Sequence, residues 1–205
     1  MSKLTKEEEI TRKSYDSVAS IWVSGHQRPF WQEEFQKLKK LLPSGRILEV
    51  GCGTGRDAKE LIKLGYDYKG IDISEAMVEQ VKKNNPSAEF EVASIYDIEP
   101  DHTFDVFWCA ATLIHIPKKR IDEALGALKN SAVKRGFGFI SVKEGVGEGL
   151  EKREELAESD FLFTYYQEAE FMEILDRNKL GILSKRRQYV SERTTWLIYL
   201  LRSTE

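Results

Sequence analysis

The chain has 205 residues, 41% hydrophobic, 11% aromatic and 32% charged, which is enough apolar material for one core and too little length for two. Lys and Arg number 31 against 34 Asp and Glu, a formal net charge of −3 with both signs dispersed, which argues against a basic phosphate-backbone binder and predicts no nucleic-acid partner. No apolar run approaches the ~20 residues that span a bilayer, Met1 to Ile10 carries no leader-like stretch, and no metal-type Cys/His spacing surrounds Cys52 or Cys109; the expectation is a cytoplasmic protein without disulfide, metal or membrane anchor.

In chain order, Lys6 to about Ile21 is polar with apolar residues at Ile10, Val18 and Ile21, a helix lying on a body rather than inside one. A second helix is predicted from Pro29 through Phe35 and Leu38 to Leu42. The period then changes. Arg46–Val50 reads as a strand stopped by Gly51, and Arg56–Leu64 as a helix closed by Gly65. Tyr68–Ile73 is the next strand, followed by a helix that Ser74 caps and Asn84-Asn85-Pro86 ends. Phe90–Val92, Phe104–Cys109 and Phe137–Val142 read as further strands, with a helix opened by Pro117 before the last. Gly145 to Gly149 and the Glu/Lys run after it read as a flexible charged segment, with a lid over 145–160 as one reading and a solvated loop and helix face as the other. A helix over Ala169–Asn178 precedes two β-type runs, Ile182–Val190 and Thr194–Arg202, joined by a short turn.

Strands alternating with helices predict an α/β fold: a doubly wound, mainly parallel seven-stranded sheet with a C-terminal antiparallel hairpin. Residues 1–205 form one domain in this reading, with N-terminal helices appended over 1–44 and a Rossmann-like core over 45–205.

Glu49-Val50-Gly51-Cys52-Gly53-Thr54-Gly55 falls between the first strand and the first core helix, where doubly wound sheets bind ligands and glycine lets backbone approach them closely. A P-loop would end in Gly-Lys-Ser/Thr, which Gly55-Arg56-Asp57 does not. The dinucleotide fingerprint would place its third glycine at Arg56 rather than Gly55. Glu49 would also repel a pyrophosphate and attract a cationic group.

An acidic residue, any residue, then G-x-G-x-G after the first strand resembles the class I (Rossmann-like) S-adenosylmethionine-dependent methyltransferase family. The resemblance implies methyl transfer from S-adenosylmethionine, with S-adenosylhomocysteine as product, to an O, N or S nucleophile of a small-molecule acceptor. It implies that Glu49 anchors the methionine end, directly or through water, that Gly51, Cys52, Gly53 and Gly55 approach the donor, and that Asp72 accepts from the ribose hydroxyls; an N-cap role is the competing reading of Asp72. Ile73, Met77 and Ile95 are the matching apolar neighbours, and Ser94 or Asp97 the polar contact to adenine. Cys109 and Ala110 correspond to the small-residue loop beneath the methionine portion. The loop lacks the Asn/Asp-Pro-Pro-Tyr/Phe of amide- and adenine-nitrogen methylases. Tyr15-Asp16, Val142-Lys143-Glu144-Gly145, Phe163-Thr164-Tyr165-Tyr166 and the closing hairpin extend the resemblance over most of the chain.

His115 and His26 are the candidate general bases for a hydroxyl acceptor, each with a structural reading beside it. Tyr15, Trp22, Phe163, Tyr165 and Tyr166 are candidates for an acceptor-pocket wall, with plain core as the commoner reading of such aromatics, and Tyr15 is also counted among the donor-binding residues. A protein or RNA methyltransferase and a non-catalytic S-adenosylmethionine-binding module are the alternatives to a small-molecule enzyme; nothing in the sequence sets the oligomeric state.

Overall fold

A computed structural model describes residues 3–25, 30–153, 156 and 159–204. Helices α1 (Lys6–Gly25) and α2 (Gln32–Leu41) precede β1 (Arg46–Val50), α3 (Arg56–Lys63), β2 (Asp67–Asp72), α4 (Glu75–Asn84) and β3 (Glu89–Val92). There follow β4 (Phe104–Ala110), α5 (Ile121–Ser131), β5 (Ala132–Glu144), β6 (Glu148–Arg153), β7 (Ser159–Tyr166), α6 (Glu168–Arg177), β8 (Leu180–Ser191) and β9 (Thr194–Ser203).

The seven predicted strands are neighbours in the order β3-β2-β1-β4-β5-β9-β8, the first five parallel and β9 antiparallel to both its neighbours. Its central strands β1, β4 and β5 are buried on both faces, and their side chains alternate between two cores. Leu48, Val50, Phe107, Cys109, Ile140 and Val142 enter the core beneath α5 and α6, whereas Ile47, Val106, Trp108 and Phe139 enter the one beneath α2 and α3. In the second core, Phe35 stacks on Trp108 (centroids 4.7 Å apart) and Trp108 on Phe139 (3.8 Å). Both cysteines are buried, as small core residues.

Three expectations need correction. Among the described residues the sheet has nine strands, because the segment read as a charged loop and helix contributes the antiparallel pair β6–β7. β6 is an edge strand with its side chains largely toward water, so its Glu/Lys alternation reads as solvated loop. β7 pairs with β5 only at Lys143 and Glu144; Lys143 also pairs with Trp196 of β9, so β7 occupies the edge of β5 that β4 vacates at Ala110. Second, Pro117 opens a short 3₁₀ turn, Lys118–Arg120, rather than α5 itself. Third, the second helix starts at Gln32; Pro29 lies outside the described residues.

Helix α1 does more than rest on the body. Thr11 Oγ1 accepts the Leu162 N–H (2.8 Å), Ser14 donates to the Asp160 carbonyl (2.7 Å), and Asp16 accepts from Ser74 Oγ (2.7 Å). It thereby spans from β7 to the start of α4, across the C-terminal ends of the parallel strands.

Candidate active site

Between α1 and those strand ends lies a cavity of about 460 Å³. Its floor is the glycine loop. Gly51 has φ +75° and a Cβ there would meet Thr112 Oγ1 at 2.0 Å, so no larger residue fits. Gly53 has φ +52° with nothing within 4 Å of where its Cβ would stand; it lines the cavity and leaves the space a ligand needs to reach the backbone.

Asp72 ends β2 with its carboxylate accepting the N–H groups of Gly53 (2.8 Å) and Ser74 (2.9 Å). Burial raises its pKa, and those backbone donors oppose the shift. Ser74 is the N-cap of α4, its hydroxyl accepting the Met77 N–H, so capping does not consume Asp72, which lines the cavity. Glu49 is 3% exposed. Burial and the nearby Asp57 push its carboxyl well above the usual range, while the hydrogen bond that Tyr68 donates to it opposes them. Ile73, Met77, Ser94 and Ile95 form the adjoining wall, where the Ser94 hydroxyl accepts the Tyr96 N–H and so caps the Ile95–Asp97 turn.

At the end of β4, Ala110 and Ala111 line the cavity, and Ala111 holds φ +56°, an uncommon conformation for a residue with a Cβ. Its N–H donates to Ser141 Oγ (2.9 Å). Beyond it, His115 sits in the Leu113–His115 turn. Its Nδ1 lies 2.6 Å from the Leu162 carbonyl, which fixes the proton there, and Nε2 accepts from the Tyr15 hydroxyl (2.7 Å). Burial, with Lys143 and Arg153 adding repulsion, lowers the His115 pKa to about 4, so the ring is neutral. Trp22 and Phe161 meet Tyr15 edge-on, at 5.4 and 4.9 Å.

The structure therefore brings Tyr15, Glu49, Gly51, Cys52, Gly53, Asp72, Ile73, Met77, Ser94, Ile95, Ala110 and His115 to one cavity. Two expected contacts fall outside its lining. The Cys109 side chain turns into the core beneath α5, because strand alternation gives the cavity to Ala110, and Gly55 serves as the N-cap of α3, packed on Val81 and Asn85. His26 lies outside the described residues. Of the aromatics read as a wall, Tyr15, Trp22 and Phe163 line the cavity, whereas Tyr166 is core.

Sequence reasoning missed Lys143, Arg153, Leu156 and Phe161, which line the far end. A lysine inside the apolar run Phe139-Ile140-Ser141-Val142-Lys143 was the available signal. It also missed Asp57, 2% exposed, which receives Arg56 Nε (2.7 Å) and Trp108 Nε1 (3.2 Å). Among the described residues no group of three His, Cys, Asp or Glu is placed to hold a metal, and no helix is long and apolar enough to cross a membrane.

A family model described as a methyltransferase domain matches residues 47–136. An uncharacterized protein of Methanocaldococcus jannaschii is 32% identical over 146 residues, 69% of this chain and 64% of that protein. A ubiquinone biosynthesis O-methyltransferase of Rickettsia conorii is 27% identical over 128 residues, 57% of this chain and 44% of its own length. The chain thus spans less than two thirds of either relative. The 1,6-didemethyltoxoflavin-N1-methyltransferase of Burkholderia thailandensis, solved with 1,6-didemethyltoxoflavin and S-adenosylhomocysteine, shares the fold with a TM-score of 0.75 over 100% of this chain and 93% of that one, at 18% identity. The match begins in β1 and takes in the glycine loop and the ends of β2 and β4 that floor the cavity; over these residues the chain carries a methyltransferase domain.

Proposed function

We propose that this chain moves the sulfonium methyl of S-adenosylmethionine to an O, N or S nucleophile of a small-molecule acceptor, leaving S-adenosylhomocysteine. The observation that carries the reading is one continuous cavity with two differently built ends: the glycine loop with Asp72 at one, and Tyr15, His115 and the aromatic wall of β7 at the other. The residues at the first end fit the donor chemically. Asp72 offers carboxylate oxygens to ribose hydroxyls, Glu49 faces an ammonium or its water, and the bare backbone at Gly53 admits close approach. Met77 and Ile95 cover an adenine ring, with Ser94 at its edge. The ubiquinone and toxoflavin enzymes to which the chain is similar are named for small molecules, which supports a small acceptor.

The donor supplies an already activated methyl, so the protein's task is alignment and exclusion of water. Helix α1 closes the cavity over the strand ends, and Ala110 and Ala111 bring main chain rather than bulk to the floor. His115 is neutral with both nitrogens engaged, so it orients Tyr15 and is a poor proton acceptor; we assign it a positioning role.

The test is S-adenosylhomocysteine formation from methyl-labelled donor over a panel of small-molecule hydroxyls, amines and thiols. Label transferred to one of them supports the reading. Donor binding without turnover over the whole panel would leave a binding module, and label on protein or RNA alone would move the acceptor to that class.

A further inference from the structure

Arg12, Arg56, Lys143 and Arg153 all line the cavity, and their surroundings differ. Arg12 is held on α1 by Glu9 and Asp16, and Lys143 and Arg153 stand by the Phe163 ring, away from the glycine loop. Arg56 directly follows that loop, as the first residue of α3 after Gly55. Asp57 clamps its guanidinium side-on, accepting from Nε (2.7 Å) and from Nη2 (3.2 Å), and Asp57 is itself buried and held by Trp108 Nε1 (3.2 Å). Nη1, at the other end of the guanidinium, has no hydrogen-bond partner among the described residues. Glu49 lines the cavity as well. Burial and Asp57 raise its pKa and Arg56 opposes the rise, so the two charges sense one another, yet among the described residues no hydrogen bond or ion pair joins them. Trp31 stands beside Arg56, whose guanidinium carbon is 5.9 Å from the ring centroid, and the Trp31 indole N–H is buried without a hydrogen-bond partner.

We infer that Arg56, aimed by Asp57, binds the α-carboxylate of the donor's methionine portion, while Glu49 takes the ammonium on the same carbon. The inference rests on the methyltransferase reading and gives a residue to the one charge of the donor which that reading leaves without a partner. An α-amino acid carries opposite charges on a single carbon, so its receptor needs an acid and a base that face one space and do not neutralise each other by contact. Glu49 and Arg56 meet that requirement beside the glycine loop. Asp57 does not use up Arg56. It occupies the side-on edge of the guanidinium and leaves the end-on edge, and by holding the plane still it reduces the entropy lost when a carboxylate forms charge-assisted bonds there. Shelter from water strengthens those bonds. The Trp31 N–H points to the same chemistry: an unanswered buried donor is costly, and an oxyanion drawn to Arg56 brings acceptor oxygens into its neighbourhood.

The test titrates two ligands calorimetrically: S-adenosylhomocysteine and its decarboxylated analogue, which keeps the ammonium and the thioether and lacks only the carboxylate. The unaltered protein should bind S-adenosylhomocysteine at least about tenfold tighter than the analogue. In Arg56→Gln that preference should shrink to within about threefold, because S-adenosylhomocysteine weakens while the analogue keeps its affinity. Should Arg56→Gln leave Asp57 buried without its cation and fail to fold, Arg56→Lys keeps a positive charge for Asp57, gives up the planar fork, and should reduce the preference by at least about threefold. Equal affinity for the two ligands in the unaltered protein, or a preference that survives in the folded Arg56 variants, would overturn the inference. So would a parallel loss of both ligands, which is what a merely structural arginine would give. If the unaltered protein binds neither ligand, the methyltransferase reading falls and takes this inference with it; binding of both alike overturns this inference alone.

Discussion

The two ends of the cavity are built by opposite means. At the glycine end the chain offers backbone and carboxylates from a few short, local stretches, and every element there lies on the parallel core. At the far end it offers aromatics and cations from α1, the end of β5, β6 and β7, which meet through contacts such as Tyr15 to His115 and Thr11 to Leu162. The first end is fixed by the turn that joins β1 to α3. The second depends on tertiary closure, and this is where a shared scaffold acquires its own acceptor.

The largest effect that sharpens this contrast is expected within the glycine loop itself. Gly51→Ala drives a Cβ onto Thr112 and demands φ +75° of alanine, so it should cost about 3 kcal/mol of stability and abolish donor binding. Gly53→Ala meets no protein atom and should cost about 1 kcal/mol, yet weaken S-adenosylhomocysteine by at least about tenfold. Thermal melts beside calorimetric titrations separate the two; equal loss of stability would show that Gly53 is structural.

Asp72→Asn keeps one carbonyl oxygen for the Gly53 or Ser74 N–H and loses the charge. S-adenosylhomocysteine affinity should fall about 10- to 100-fold with little change in melting temperature.

The Glu49 prediction concerns pH. Its folded pKa is raised well above the ordinary carboxyl value, so the free folded protein holds a proton there that the unfolded chain releases. The associated stability is full below the ordinary carboxyl range and is lost as pH rises through the raised value. Glu49→Gln should therefore gain stability relative to the parent as pH rises through that window, while S-adenosylhomocysteine affinity, which increases with pH in the parent, becomes flat. Melting curves and titrations across pH 4 to about 8 check both slopes; unchanged slopes in the variant would remove Glu49 from the donor site.

The smallest effect belongs to the far end. Tyr15→Phe deletes one hydrogen bond to His115 and should cost about 1 kcal/mol, leave donor affinity within about threefold, and slow turnover. A loss of donor affinity larger than that would place Tyr15 with the donor rather than the acceptor.

What was legible in the sequence follows the same division. The glycine loop, the Ser74 cap and Asp72 all sit within one strand-turn-helix unit after another, where residue type and spacing specify backbone geometry locally. Strand alternation placed the core, since Leu48 and Val50 share one face and Ile47 the other. The β6–β7 pair was hidden because an exposed edge strand of Glu, Gly, Leu and Lys looks like solvated loop, and its anchorage to β5 is a two-residue contact. The role of α1 was hidden for a different reason. Its polar face looks like a surface face until Thr11, Tyr15 and Asp16 find partners in β7, the His115 turn and α4, which no local pattern announces.

The central claim is that the glycine end holds S-adenosylmethionine, and calorimetry of the unaltered protein tests it most directly. S-adenosylmethionine and S-adenosylhomocysteine should bind, NAD and ATP should not, and Asp72→Ala should lose the binding; preference for NAD or ATP, or no adenosylmethionine binding at all, would contradict the account.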